Sequence, residues 1–159
     1  MDANTVPWLT SDGFFDPAKF PIDGILQQAV GNDEGQFRSA LTMLQSMYHH
    51  GRKEAGVFLL GILVTWDDNW EQRIAIVEAL KGVETQACVD LLFRELKRVK
   101  SSNTTRRYLA EIIRVLVKMP SELVLPGFAL LASDNFFTPK MRSKFKAILE
   151  EGMVDDELW

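Results

Sequence analysis

The sequence predicts an all-α protein in which helical hairpins stack into a short solenoid. Three observations carry this. Apolar residues recur at helical spacing with no sustained two-residue alternation, helix start and stop signals succeed each other regularly, and one pattern returns about every 35 residues.

The start signals come first. Asp33 is followed three residues later by Gln36, and Asn69 by Gln72, each a cap residue with a partner one turn on. Asn103 or Thr104 is placed to open a further helix, and Thr138-Pro139 sets a cap residue before a proline suited to the first helical position. Gly51, Gly82 and Gly152 suit the left-handed residue that ends a helix, and Pro120 cannot continue one. Between these marks Phe37, Leu41, Leu44 and Met47 share one face. Ile76, Ala79 and Leu80 share another, then Leu109, Ile112, Ile113 and Leu116, then Met141, Phe145, Ile148 and Leu149. Helical pairs are expected at 33–65, 69–100 and 103–133, with a lone helix at 138–151. Ile22, Ile25, Leu26 and Ala29 predict a short leading helix at 22–30.

The repeat lies in the register. Arg38, Arg73, Arg107 and Arg142 are 35, 34 and 35 residues apart. Three positions after each comes Leu41, Ile76, Ala110 or Phe145, and six positions after comes Leu44, Ala79, Ile113 or Ile148. Phe58, Phe93 and Phe128 keep the same interval in the second helices. Two helices of about twelve residues with two short turns consume roughly 35 residues. One such pair cannot bury both apolar faces, so copies stack and share a continuous core.

The run Ala79-Leu80-Lys81-Gly82-Val83-Glu84-Thr85-Gln86-Ala87-Cys88-Val89-Asp90-Leu91-Leu92 resembles the junction of a HEAT-like repeat, where an Ala-Leu ending and a tight turn lead into a second helix. The resemblance covers about residues 33–151. It implies a right-handed α-α superhelix of about three helical pairs plus capping helices and, as a family tendency, protein–protein binding. Tetratricopeptide repeats share the period, but their small residues and tryptophan do not line up here. The expected organisation is an N-terminal arm and capping helix at 1–32, the repeat domain at 33–151 and an acidic tail at 152–159.

Composition and motifs point away from catalysis. With 159 residues, 47% hydrophobic and 25% charged, the chain is of the size and make-up of one globular domain. The lone Cys88 cannot form an internal disulfide, and the N-terminus lacks a basic stretch followed by an apolar run. The longest apolar stretch, Val57 to Val64, is far short of the roughly 20 residues of a membrane span. The chain is therefore expected in the cytoplasm. Gly-rich phosphate loops, His-Glu-x-x-His, Cys-x-x-Cys and nucleophile elbows are all missing, and no cofactor is expected. HEAT-like DNA glycosylases combine tryptophan and aspartate on a repeat scaffold, but their catalytic pattern finds no match here. His49 and His50 with Asp67 or Asp68 form a conceivable metal set, yet imidazole also suits a helix C-terminus, and no metal site is expected. Cys88, beside Ala87 and Val89, reads as a packed side chain. The cluster Trp66-Asp67-Asp68-Asn69-Trp70 reads as a structural loop, with a pocket between indoles as the alternative.

Charge and exposed hydrophobicity point to a partner. The net charge of −4 hides a segregation: residues 1–93 sum to −7, residues 94–146 to +8, and the remainder carries 5 acidic side chains and no basic one. Lys97, Arg98, Lys100, Arg106 and Arg107 are the candidate partner-binding residues, as one basic patch meeting another protein with an acidic surface. The alternative is a nucleic-acid binder using the basic segment 94–146. It lacks the interleaved aromatics of single-strand binding, since Tyr108 is the only aromatic beside the patch. The segments 57–64 and 123–131 are apolar on nearly every side, which calls for cover by the chain's own ends, a second copy as a homodimer, or a partner. The arm at 1–21, with Trp8, Leu9, Phe14, Phe15 and Phe20, is expected to dock on helix 57–64. The expected function is a non-catalytic scaffold or adaptor.

Overall fold

Asp33 accepts the Gln36 amide at 2.9 Å, and helix α1 (Glu34–His49) begins there, as the Asp-x-x-Gln signal predicts. The computed structural model describes residues 10–12, 14 and 33–151, except the side chain of Glu151. The expected helix at 22–30, most of the arm and the tail 152–159 lie outside the described residues. The further helices are α2 (Glu54–Thr65), α3 (Trp70–Ala79), α4 (Gln86–Arg98), α5 (Arg106–Val117), α6 (Ser121–Ala132) and α7 (Pro139–Glu151). Among the described residues there is no strand, and the fold is all-α.

The caps fall largely where the sequence places them. Asn69 accepts the Gln72 amide at 3.1 Å to start α3, and Thr138 accepts the Met141 amide at 3.2 Å to start α7. Gly51 and Gly82, at φ of 96° and 87°, take the left-handed conformation at the turns after α1 and α3. The opening of α5 differs. The helix begins at Arg106, later than Asn103 or Thr104 predicts, with Thr105 at the cap position. Thr105 makes no cap bond because its hydroxyl closes the preceding turn, donating to the Lys100 carbonyl at 2.7 Å and accepting from the Ser102 amide at 2.8 Å.

The chain divides into two compact units, Met1–Val83 and Glu84–Trp159. The boundary falls in the turn after Gly82, so α3 and α4, expected as one hairpin, belong to different units.

In the first unit α1 packs on α2 and α3, and α2 packs on α3. Phe37, Leu41 and Leu44 meet Leu59, Ile62, Leu63, Ile76 and Val77 in its buried interior. Burial runs through five consecutive positions of α3, Arg73 to Val77, where the sequence suggests a single face. Arg73 turns inward because Nη1 donates to the Trp66 carbonyl at 2.8 Å. Helix α2 buries Ala55, Gly56 and Leu59 to Leu63, but Val57 is exposed and Phe58 and Val64 are half-buried, so its cover is incomplete.

In the second unit α4 packs on α5 and α6, α5 on α6, and α7 on α6. Its interior is aromatic: Phe93, Phe128, Phe145 and Phe137 touch in series, with ring centroids 5.1, 6.1 and 5.0 Å apart. Helix α6 does not have cover on every side. It buries Val124, Phe128, Leu131 and Ala132, while Leu130 is 73% exposed and Leu125 and Ala129 face outward as well. Among the described residues only one side of this helix is packed.

The arginine column is a register of sequence and not of environment. Arg73 is buried, Arg38 and Arg107 are exposed, and Arg142 is half-buried with Nη1 on the Asn135 side chain at 2.6 Å. The apolar columns do better: Leu41, Ile76 and Phe145 are buried and Ala110 is half-buried, while Leu44, Ala79, Ile113 and Ile148 are all buried.

One glycine has a steric reason. A Cβ at Gly127 would stand 2.4 Å from Cε2 of Phe93, whose ring is held against Phe128. Gly127→Ala gains about 1 kcal/mol of helix propensity and loses about 1–3 kcal/mol to overpacking. The expected outcome is a lower melting temperature, measured by thermal circular dichroism. The penalty should shrink when Phe93→Leu opens the space, as a double-mutant cycle reads directly.

Candidate binding groove

A charged residue sits where the apolar face of α4 runs. Cys88, Leu92 and Glu95 follow at helical spacing on one side, so the helix carries a carboxylate into the core of its unit. Glu95 is 3% exposed. Tyr108 on α5 donates its hydroxyl to Glu95 Oε1 at 2.5 Å, and Arg98 one turn on grips both carboxylate oxygens through Nε and Nη2. A buried carboxylate is tolerable only with such partners. The clamp ties α4 to α5 and fixes Arg98 at the surface.

Beyond Arg98, Val99 is buried and the chain turns through Lys100, Ser101 and Ser102, closed by the Thr105 hydroxyl. Facing this turn is the loop between α6 and α7. There Asp134 accepts the Phe136 amide at 2.9 Å and pairs with Lys97 Nζ at 2.8 Å. The ammonium also lies 5.9 Å from the centre of the Phe136 ring. Hydrogen bonding by Lys97, together with the Phe136 amide, holds the Asp134 carboxyl below its ordinary value of 3.8. The clip therefore holds to more acidic pH than an unpaired aspartate would allow.

Between the two segments lies a groove of about 420 Å³. Leu96, Val99, Leu109, Phe137 and Met141 supply its apolar surface, and Lys97, Arg98, Lys100 and the 55% exposed Phe136 stand around it. Three of the five sequence-predicted residues, Lys97, Arg98 and Lys100, thus come together at one cavity. Arg106 and Arg107 are exposed on the first turn of α5 and do not line it. Lys97 and Arg98 already have carboxylate partners, whereas the Lys100 ammonium makes no ion pair among the described residues.

Glu95, Tyr108, Asp134, Phe136 and Phe137 were not among the predicted residues. The signal for Glu95 is a lone carboxylate on an apolar helix face. Asp134 and Phe136 come from a loop whose conformation no periodicity announces.

The other candidates resolve into structure. Trp66 stacks on Phe37 at 4.8 Å between centroids and donates Nε1 to Gln72 Oε1 at 2.9 Å, while Gln72 donates to Glu34 at 2.8 Å. The Trp66–Trp70 segment is thus a cap-and-staple loop. His50 Nδ1 lies 2.7 Å from the Ser46 carbonyl, and His49 packs edge-on against Tyr48. Among the described residues no group of three or more histidine, cysteine or acidic side chains is arranged to hold a metal. Cys88 is buried, and burial pushes its thiol up to about 12. Compared with known proteins, the chain matches no family model, no curated protein and no solved structure.

Two outcomes are expected. Tyr108→Phe removes one donor from a buried carboxylate and costs about 1–3 kcal/mol in chemical denaturation. Combined with Glu95→Gln, its cost should be far from additive, because both act on one network. Cys88 should resist a thiol reagent at pH 8 in the native protein and react promptly in denaturant. Its raised pKa also means stability is intact below 9.0, the thiol's ordinary value, and falls as pH climbs toward 12.

Proposed function

We propose that this chain is a non-catalytic interaction module on HEAT-like helical repeats, with the groove beside Lys97, Arg98 and Lys100 as its partner site. The observation that carries the reading is the groove itself. It joins apolar side chains deep enough to take a bulky residue with cations placed to meet carboxylates. That combination suits a peptide segment rich in acidic residues around one large hydrophobic side chain. Support for the repeat comes from the packing inside each unit. In the first, α1 meets α3, and in the second, α4 meets α6, so helices one sequence repeat apart are neighbours.

Lys97 and Arg98 bear on the choice of partner. With Asp134 and Glu95 already against them, they have little charge left to neutralise phosphates. Lys100, whose ammonium makes no ion pair among the described residues, is the cation at the groove left to steer and orient a carboxylate-bearing partner.

The test is a peptide array of acidic segments with and without a central Leu, Phe or Trp, read by fluorescence anisotropy. Binding should require both chemistries, weaken with salt, and drop at least fivefold with Lys100→Glu or Met141→Asp. Binding that ignores both substitutions would refute the groove as the site. A mobility shift with DNA or RNA that falls steeply across a salt series, with no peptide binding, would replace the reading by the nucleic-acid one.

A further inference from the structure

One side of α6 carries a stripe of surface residues. Glu122, Leu125, Pro126, Ala129, Leu130 and Ser133 are all exposed and follow at intervals of three, one, three, one and three, so they share one face. Leu125 and Leu130 are 37% and 73% exposed, large for apolar side chains. Beside the C-terminal half of the stripe lies a hollow of about 540 Å³ between α6 and α7, with Ala129, Ser133, Arg142 and Lys146 in its lining. Arg142 holds the Asn135 side chain, and neither Glu122 nor Lys146 makes an ion pair among the described residues. The surface thus has an acid at one end, leucines in the middle and cations at the other end.

We propose that this face of α6 is a homodimer interface, in which α6 of one copy packs antiparallel on α6 of a second copy. The inference goes beyond the reading of the groove beside Lys100, which is lined by other residues. A dimer would offer two such grooves to one bivalent partner.

The spacing and the charges carry the argument together. Reversed end for end, the stripe keeps its intervals, so a two-fold axis at the level between Gly127 and Phe128 lays it on itself in register. Leu125 then faces the partner's Leu130, Pro126 faces the partner's Ala129, and Glu122 faces the partner's Ser133, each contact occurring twice. The middle pair is small, which lets the two helix axes approach to the roughly 8–10 Å of ordinary helix packing. The leucines on either side bury the apolar surface that α6 leaves to solvent in one chain. At each end Glu122 comes to the mouth of the partner's hollow, where the partner's Arg142 and the partner's Lys146 supply the opposite charge.

A second copy suits this surface better than a foreign helix. Both halves of the ion pair are already on it, at the two positions that the symmetry operation brings together. One helix face and the edge of a hollow make a contact below the roughly 1,200 Å² of stable complexes, so the dimer is a reversible one.

The experiment is sedimentation of the full chain over a concentration series reaching about 0.5 mM, near the weak end of reversible association. Three variants are compared with the unmodified chain, their folding checked by circular dichroism: Leu130→Asp, Glu122→Lys, and Arg142→Glu combined with Lys146→Glu. If the double reversal unfolds, Lys146→Glu alone replaces it, since Lys146 makes no ion pair among the described residues. The expected result is a dimer of the unmodified chain that each variant weakens about tenfold or more. Mixing the acid-reversed and cation-reversed chains should restore it, because every end contact in the mixed dimer again joins opposite charges. No association of the unmodified chain would overturn the proposal. So would a dimer indifferent to Leu130→Asp, or a mixture that associates no better than either reversed chain alone. Peptide binding at the groove, measured in parallel, should be unchanged by Leu130→Asp, so failure of the dimer and failure of the groove are read separately.

Discussion

Much of the second unit depends on one buried charge. Glu95 enters the interior on a helix face that is otherwise apolar, and its carboxylate is held there by bonds from Tyr108 and Arg98. Those partners come from different distances along the chain, one turn away on α4 and one helix away on α5. The bond to Tyr108 sets how α4 lies against α5, and the bonds to Arg98 fix the end of α4. An apolar residue at the same position would pack, but it would remove the acceptor that Glu95 offers the buried Tyr108 hydroxyl and the bonds it makes to Arg98.

The groove follows from that anchoring. With the end of α4 held, Val99 turns inward and the Thr105 hydroxyl closes the 100–105 turn, which leaves the Leu96–Ser101 stretch as one wall. The opposite wall depends on the aromatic series. Phe137 packs on Phe145, so Phe136 is pushed outward at the edge, where Asp134 holds its amide and Lys97 approaches its ring. A polar network on one side and an aromatic one on the other create a cavity that neither helix encloses alone. Its charges are mostly committed: two of the three cations around it already face carboxylates, and this makes the site selective about what else it admits.

The uncovered side of α6 has a related origin. Val124, Phe128 and Leu131 bury one stripe, and the ring of Phe128 is large enough to join Phe93 to Phe145 across it. The remaining apolar residues are left toward the surface, Leu130 at 73% exposure and Leu125 at 37%. Gly127 belongs to the same economy: it is absent of a side chain because the Phe93 ring occupies that space.

Among the described residues, helix number, order and most boundaries were legible in the sequence, because they rest on local chemistry. A cap bond from Asp33 or Asn69 spans three residues, a left-handed Gly51 or Gly82 needs no neighbour, and apolar spacing states which face turns inward. The 35-residue beat of Leu41, Ile76 and Phe145 likewise survives as burial. The arginine column does not, since Arg73 is drawn inside by the Trp66 carbonyl while Arg38 and Arg107 stay exposed, and spacing cannot distinguish those fates. The basic patch was half legible: Lys97, Arg98 and Lys100 line one cavity, but Arg106 and Arg107 are not part of its wall. The sequence by itself determined where most helices begin and end, α5 excepted, because those choices are settled within a few residues. Only the tertiary structure decided which charges are spent on Glu95 and Asp134 and which remain, because ion pairing depends on side chains that the chain brings together from helices and loops far apart in sequence.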